Sequence, residues 1–127
     1  AKGVIPSLLK DILHGEQPRI DGDGEQTRDF VFVEDAIEAS ILAAQRDAVG
    51  IFNIGTSKET SINDLFSLMR AQLQSAVEAQ RESGKQGGQE RSCLAIAKAK
   101  EELGWFPMHT LKKGMEETLE WYKGQAH

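Results

Sequence analysis

The sequence predicts a mixed α/β fold with few strands and several packed helices, and three observations predict it. Helical apolar periodicity opens and closes the chain, at 5–13 and 111–122. Two short β-branched and aromatic runs, 29–33 and 49–54, alternate with helix-forming stretches between those ends. The length of 127 residues, 39 % of them hydrophobic, suits one domain of ordinary size, so 1–127 reads as a single unit.

The elements follow in order. Ile5, Leu8, Leu9, Ile12 and Leu13 form one helical stripe, with Pro6 in the first turn and Gly15 at a left-handed C-cap position. A short extended piece, Arg19–Asp21, runs into the turn Gly22-Asp23-Gly24. Asp29–Val33 reads as a strand with apolar residues on both faces, which expects cover on both sides. Residues 34–46 are rich in helix formers, with Glu34 and Asp35 in the first turn, where acids favour the helix dipole. Val49–Ile54 reads as a second strand. Ser61 caps the next helix, with Asp64 three residues on, and Ile62, Leu65, Phe66, Met69 and Leu73 give its apolar face. Residues 74–92 have no apolar period and read as a long mobile loop. A short helix at about 97–103 stops at Gly104, and Thr110 caps the last helix, faced by Leu111, Met115, Leu119 and Tyr122. The strands are too few for a complete sheet.

Composition narrows the function. The formal charge is −5, which disfavours nucleic acid as a partner because phosphate neutralisation needs a basic face. The single cysteine, Cys93, allows neither an intrachain disulfide nor a multi-cysteine zinc site. No apolar run approaches the roughly 20 residues of a membrane span, and the first residues carry no signal-peptide core. A cytoplasmic protein without a membrane partner is expected. None of the 3 histidines has a second ligand at metal-site spacing, so no metal is expected. No glycine pattern of the dinucleotide-binding kind completes: Gly22 and Gly24 are followed by Thr27, and Gly84 and Gly87 by Glu90. Acid pairs such as Glu34/Asp35 and Glu116/Glu117 read as solvated or helix-capping faces.

One stretch is distinctive: Gly22-Asp23-Gly24-Glu25-Gln26-Thr27-Arg28-Asp29-Phe30-Val31-Phe32-Val33-Glu34-Asp35. It resembles the G-D-G-x-Q-x-R-D-F-V-Y-V-x-D segment of the extended short-chain dehydrogenase/reductase family, the NAD-dependent nucleotide-sugar epimerases and dehydratases, with Phe32 in place of the tyrosine. Further pieces agree in the family's order. Phe52-Asn53-Ile54-Gly55 resembles its F-N-x-G segment, Lys98-Ala99 through Leu103-Gly104-Trp105 and Pro107 its K-A-x-x-x-L-G-W-x-P segment, and Leu111 to Tyr122 its final helix. The resemblance covers almost the whole chain outside roughly 74–90. It implies the C-terminal, substrate-binding portion of that fold, without the N-terminal Rossmann half.

The resemblance also implies what to expect of function. In the family the glycine-rich NAD turn and the catalytic Tyr-x-x-x-Lys lie before this segment. Here the one tyrosine, Tyr122, is followed four residues later by Ala126. The expectation is therefore no catalytic residue and no cofactor held by this chain, NAD being implied only for a full-length enzyme. The implied ligand is a nucleotide sugar, a UDP- or dTDP-sugar. Family arginines at the R-D-F position contact the diphosphate, which assigns Arg28; a guanidinium meets phosphate oxygens bidentately, and a salt bridge to Asp29 or Asp35 that pins the turn is the structural alternative. Gln26 orients nearby backbone or ligand, and Ile20 aligns with the piece beside the nucleotide base or is a core residue. Counting back from Arg91-Ser92 puts Lys85 at the arginine of the family's R-x-G-D/E motif, with Gly88 where the acid stands. The competing reading is a standalone, non-catalytic binding or structural module. The uncovered apolar strand and helix faces predict a homodimer.

Overall fold

The computed structural model describes residues 3–82 and 91–125. In chain order the elements are α1 (Val4–Leu13), β1 (Arg19–Asp21), β2 (Thr27–Arg28), α2 (Val33–Gln45), β3 (Thr60–Ser61), α3 (Ile62–Leu73), β4 (Gln80–Glu82), a π-helical turn (Ala99–Leu103) and α4 (Leu111–Gln125). Where the sequence reads one unit, the chain divides into two compact ones. Ala1–Thr27 joins Thr60–Arg91 in the first, and Arg28–Glu59 joins Ser92–His127 in the second.

In the first unit, α1 buries Leu8, Leu9 and Ile12, and α3 buries Ile62, Leu65, Phe66 and Met69, so the two apolar stripes pack together. The α1 stripe ends at Leu13, which is exposed, and Gly15 takes the left-handed conformation at φ +69°. Ser61 caps α3 as its position predicts, accepting from the Asp64 N–H at 3.0 Å. Strand β1 pairs in parallel with β4, in the register Arg19↔Gln80, Ile20↔Arg81 and Asp21↔Glu82. A strand therefore stands inside 74–92, where the sequence reads only loop. Ladder bonds are made by the backbone, and Gln80, Arg81 and Glu82 carry no apolar side chain to announce them. A second two-stranded sheet joins β2 to β3, and Thr27 and β3 fall in the same unit.

The second unit corrects two expectations. Neither 29–33 nor 49–54 is a strand: 29–32 and 49–54 lie outside the ladders, and Val33 already begins α2. Their β-branched and aromatic residues still set an inward–outward alternation. Phe52 and Ile54 pack on the core, while Val49 is 89 % and Ile51 85 % exposed. Composition favours an extended backbone, but a ladder also needs a neighbouring backbone to bond, and among the described residues these segments have none. The core gathers Ala39 of α2, Ile96, Ala99 and Leu103 of the short helix, and Trp105. Helix α4 is capped by Thr110, whose Oγ1 accepts from the Lys113 N–H at 3.1 Å, and buries Met115 and Leu119. Opposite its buried residues, α2 turns Val33, Ile37 and Ile41 outward. Among the described residues no helix is long and apolar enough to cross a membrane.

Candidate functional site

The distinctive G-D-G-E-Q segment follows β1 directly, and the first unit holds it from several sides. Gly22 and Gly24 take left-handed conformations at φ +62° and +77°, which glycine adopts without the Cβ penalty. The Gly22 N–H donates to the Glu82 carbonyl at 3.1 Å, and Asp23 Oδ1 accepts from the Glu25 N–H at 2.9 Å. From the first turn of α3, Asn63 Nδ2 donates to the Asp23 carbonyl at 2.8 Å and to Glu25 Oε1 at 2.6 Å, while its own N–H donates to the Gly24 carbonyl. Arg81 Nη1 of β4 donates to Asn63 Oδ1. The turn is thus fixed by side chains 38 to 58 residues away in sequence.

The four residues expected to bind ligand fall in different places. Ile20 is 1 % exposed at the centre of β1. Gln26 is also buried, in the same unit; its Nε2 donates to the Asp21 carbonyl at 3.2 Å, and its Oε1 has no hydrogen-bond partner among the described residues. Its amide thereby steadies the join between β1 and the turn. Arg28, half-buried in β2, belongs to the second unit. Lys85 lies outside the described residues.

Asp29, the neighbour of Arg28, is engaged elsewhere in the second unit. Its carboxylate accepts from the Thr56 N–H at 2.8 Å, Thr56 Oγ1 at 2.5 Å, the Ser57 N–H at 3.0 Å and the Leu94 N–H at 3.1 Å. One side chain so ties together three chain segments. Gly55 makes room for it, since a Cβ there would come within 2.8 Å of Asp29 Oδ2.

Asp35 departs from the expectation that Glu34/Asp35 is a solvated or helix-capping pair: it stands in the first turn of α2 but, among the described residues, makes no cap bond to it. It is 4 % exposed, its Oδ2 accepts from the His109 N–H at 3.0 Å, and its Oδ1 meets His109 Nδ1 at 3.0 Å. The Trp105 indole donates to the Asp35 carbonyl at 2.8 Å. Burial pushes the Asp35 carboxyl up, but hydrogen bonds from the His109 side chain and from the His109 and Met108 backbone, with the imidazole charge, outweigh it and hold it below its ordinary value. The same hydrogen bond to Asp35 raises His109, against desolvation and with help from the charges of Asp35, Glu117 and Glu34. Sequence reasoning missed both this pair and the Asn63–Arg81 lock, because their partners are distant in the chain.

The turn after β1 lacks the strand–turn–helix order of a dinucleotide site. A pyrophosphate site of that kind needs a strand, a glycine turn and then a helix N-terminus that supplies free N–H groups. Here β1 and its turn lead into β2, not into a helix.

Residues 1–118 match the sequence profile of the family described as GDP-mannose 4,6 dehydratase. A UDP-glucose 4-epimerase of Mycolicibacterium smegmatis is 33 % identical over 98 % of this chain and 40 % of its own length. The crystal structure of UDP-glucose 4-epimerase with UDP-glucose from Thermotoga maritima superposes with a TM-score of 0.89 at 35 % identity, over 98 % of this chain and 40 % of that one. A UDP-N-acetylglucosamine 4-epimerase from Methanobrevibacter ruminantium, in complex with UDP-N-acetylmuramic acid, gives 0.88 at 31 % identity with the same coverage. The chain spans about 40 % of the length of these relatives, and its α/β fold matches their C-terminal portion. With a family profile matched across nearly its whole length, the chain belongs to the GDP-mannose 4,6 dehydratase family of nucleotide-sugar epimerases and dehydratases.

Proposed function

We propose that this chain is the nucleotide-sugar-binding portion of an epimerase or dehydratase, that it takes a UDP- or dTDP-sugar, and that it is not catalytic by itself. The observation that carries the reading is the likeness, at 35 % and 31 % identity, to structures that hold UDP-glucose and UDP-N-acetylmuramic acid. Arg28 is the diphosphate contact, its guanidinium matching the fork of phosphate oxygens. Ile20, Gln26 and Lys85 are secondary candidates, each open to single substitution. The chain alone holds no NAD, since it has neither the glycine turn nor a Tyr-x-x-x-Lys; in a full-length enzyme NAD would supply the hydride chemistry. A cytoplasmic homodimer completes the reading, supported by the outward apolar face of α2.

Calorimetric titration tests it. UDP should bind weakly, and Arg28→Ala should weaken it about tenfold or more, the size of a lost charge-assisted pair. NAD should give no heat, and UDP-glucose no turnover. Equal UDP affinity in the Arg28→Ala protein refutes the diphosphate assignment, and micromolar NAD binding refutes the division of labour.

A further inference from the structure

We propose that His109 is a proton-operated clasp between α2 and α4. With both ring nitrogens protonated it ties Asp35 to Glu117; when the Nε2 proton leaves to water, the α4 side opens and the α2 side stays bound. The device lies within the second unit and does not depend on a nucleotide-sugar ligand.

The α2 side is built from fixed parts. Asp35, buried in the first turn of α2, gives one carboxylate oxygen to the His109 N–H and the other to His109 Nδ1, each at 3.0 Å. The Trp105 indole donates to the Asp35 carbonyl, so the segment that carries the imidazole is fastened to α2 at two places. Phe32 stands beside the ring, centroid to centroid at 4.6 Å, and lies against Gly114 of α4, where a Cβ would meet its carbons at 3.1 to 3.3 Å. That apolar contact carries no charge and holds α4 at Gly114 in either protonation state.

The α4 side is conditional. A carboxylate only accepts, so Asp35 keeps a hydrogen on Nδ1 in both charge states, and the neutral ring is bare at Nε2. Nε2 lies 3.4 Å from Glu117 Oε2. With a proton between them the pair attracts as a charge-assisted contact; without it, one acceptor faces another. The Glu117 side chain is 43 % exposed and can turn out to water, a route the buried Asp35 lacks. The charged groups facing the ring are all acids, Asp35 and Glu34 from α2 and Glu117 from α4. The segment 105–110 holds no other charged side chain, and Lys113 of α4 is turned to Glu116 at 3.6 Å. The hydrogen bond to Asp35, aided by those charges against desolvation, raises His109 above its ordinary 6.5. The clasp is therefore fully closed below 6.5 and opens as pH rises through the raised value. Opening loosens the turn of α4 that follows Glu117, not the whole helix.

Nitrogen NMR of the His109 ring and amide hydrogen exchange of the chain test the clasp. Above the His109 midpoint the ring should report a protonated Nδ1 and a bare Nε2. Across that midpoint, exchange at the amides of 118–121, corrected for hydroxide catalysis, should rise about threefold or more beyond the rise at 39–43 of α2. Glu117→Gln should remove that difference, because a carboxamide N–H can donate to the bare nitrogen and close the clasp without a proton. The same substitution should lower the His109 midpoint, since it removes a facing charge. A neutral ring protonated at Nε2, amides of α4 and α2 that rise together, or a Glu117→Gln protein that keeps the wild-type difference or midpoint would each overturn the proposal.

Discussion

Asp29 and Asp35 stand six residues apart in the R-D-F-V-F-V-E-D segment, and their carboxylates act in different ways. Asp29 works by backbone capture: removing its carboxylate leaves the N–H groups of Thr56, Ser57 and Leu94 without their acceptor at once. Asp29→Ala should therefore cost on the order of 3 kcal/mol in urea unfolding, the size of several charge-assisted bonds less what water restores. A loss below about 1 kcal/mol would show that solvent replaces the carboxylate. Asp35 works by charge. Its pKa is lowered below the ordinary 3.8, so its contribution is present above that value and fades as pH falls through the lowered one. The pKa of His109 is raised above 6.5, so its contribution is complete below 6.5 and is lost as pH rises through the raised value. The pair thus stabilises most between those two limits. Unfolding measured at about pH 6 and pH 8 should show the wild type losing stability across that interval and His109→Gln losing less; parallel curves would mean the pair is energetically silent.

At the scale of elements, legibility followed the range of the interaction. The helices α1, α2, α3 and α4 and the caps at Ser61 and Thr110 were readable because helical periodicity and capping act within four residues. The composition of 29–33 and 49–54 predicts strands that no ladder forms among the described residues, since it speaks of backbone shape and says nothing of who pairs with it. Strand β4 was missed for the opposite reason: its pairing is made by main chain, and its side chains are polar. The G-D-G turn was legible as a turn, but not its lock on Asn63 and Arg81. That lock yields a prediction. At Gly24 a Cβ would collide with Asn63 Oδ1 and Arg81 Nη1, both ends of side chains that can yield, while φ +77° charges any L-residue about 1–2 kcal/mol. Gly24→Ala should lose about 2 kcal/mol and Ser61→Ala about 1 kcal/mol in denaturant unfolding. An unchanged midpoint for Gly24→Ala would mean the turn relaxes freely.

For the whole molecule, the surface that most needs an explanation is apolar. Val33, Ile37 and Ile41 recur every four residues along α2, so they make one stripe, 61 %, 53 % and 44 % exposed. Val49 and Ile51, nearly fully exposed, belong to the same unit. Stable monomers seldom leave such a stripe in water. If association hides ~400 Å2 of apolar surface per chain, each contributes about 10 kcal/mol at ~25 cal/mol per Å2. A second copy brings the same again, and association itself costs about 4–15 kcal/mol. The surplus of about 5–16 kcal/mol reaches the roughly 8 kcal/mol of a micromolar dimer when the association cost stays below about 12 kcal/mol. A two-fold pair is the simplest arrangement, because it lets one patch meet its own copy. The chain should therefore run as a homodimer in light scattering at micromolar concentration, and Ile37→Lys with Ile41→Glu should return it to monomer without lowering its helix content. A wild-type monomer that binds no hydrophobic dye would show that the stripe is covered within the chain, and a dimer untouched by the double substitution would move the interface off α2.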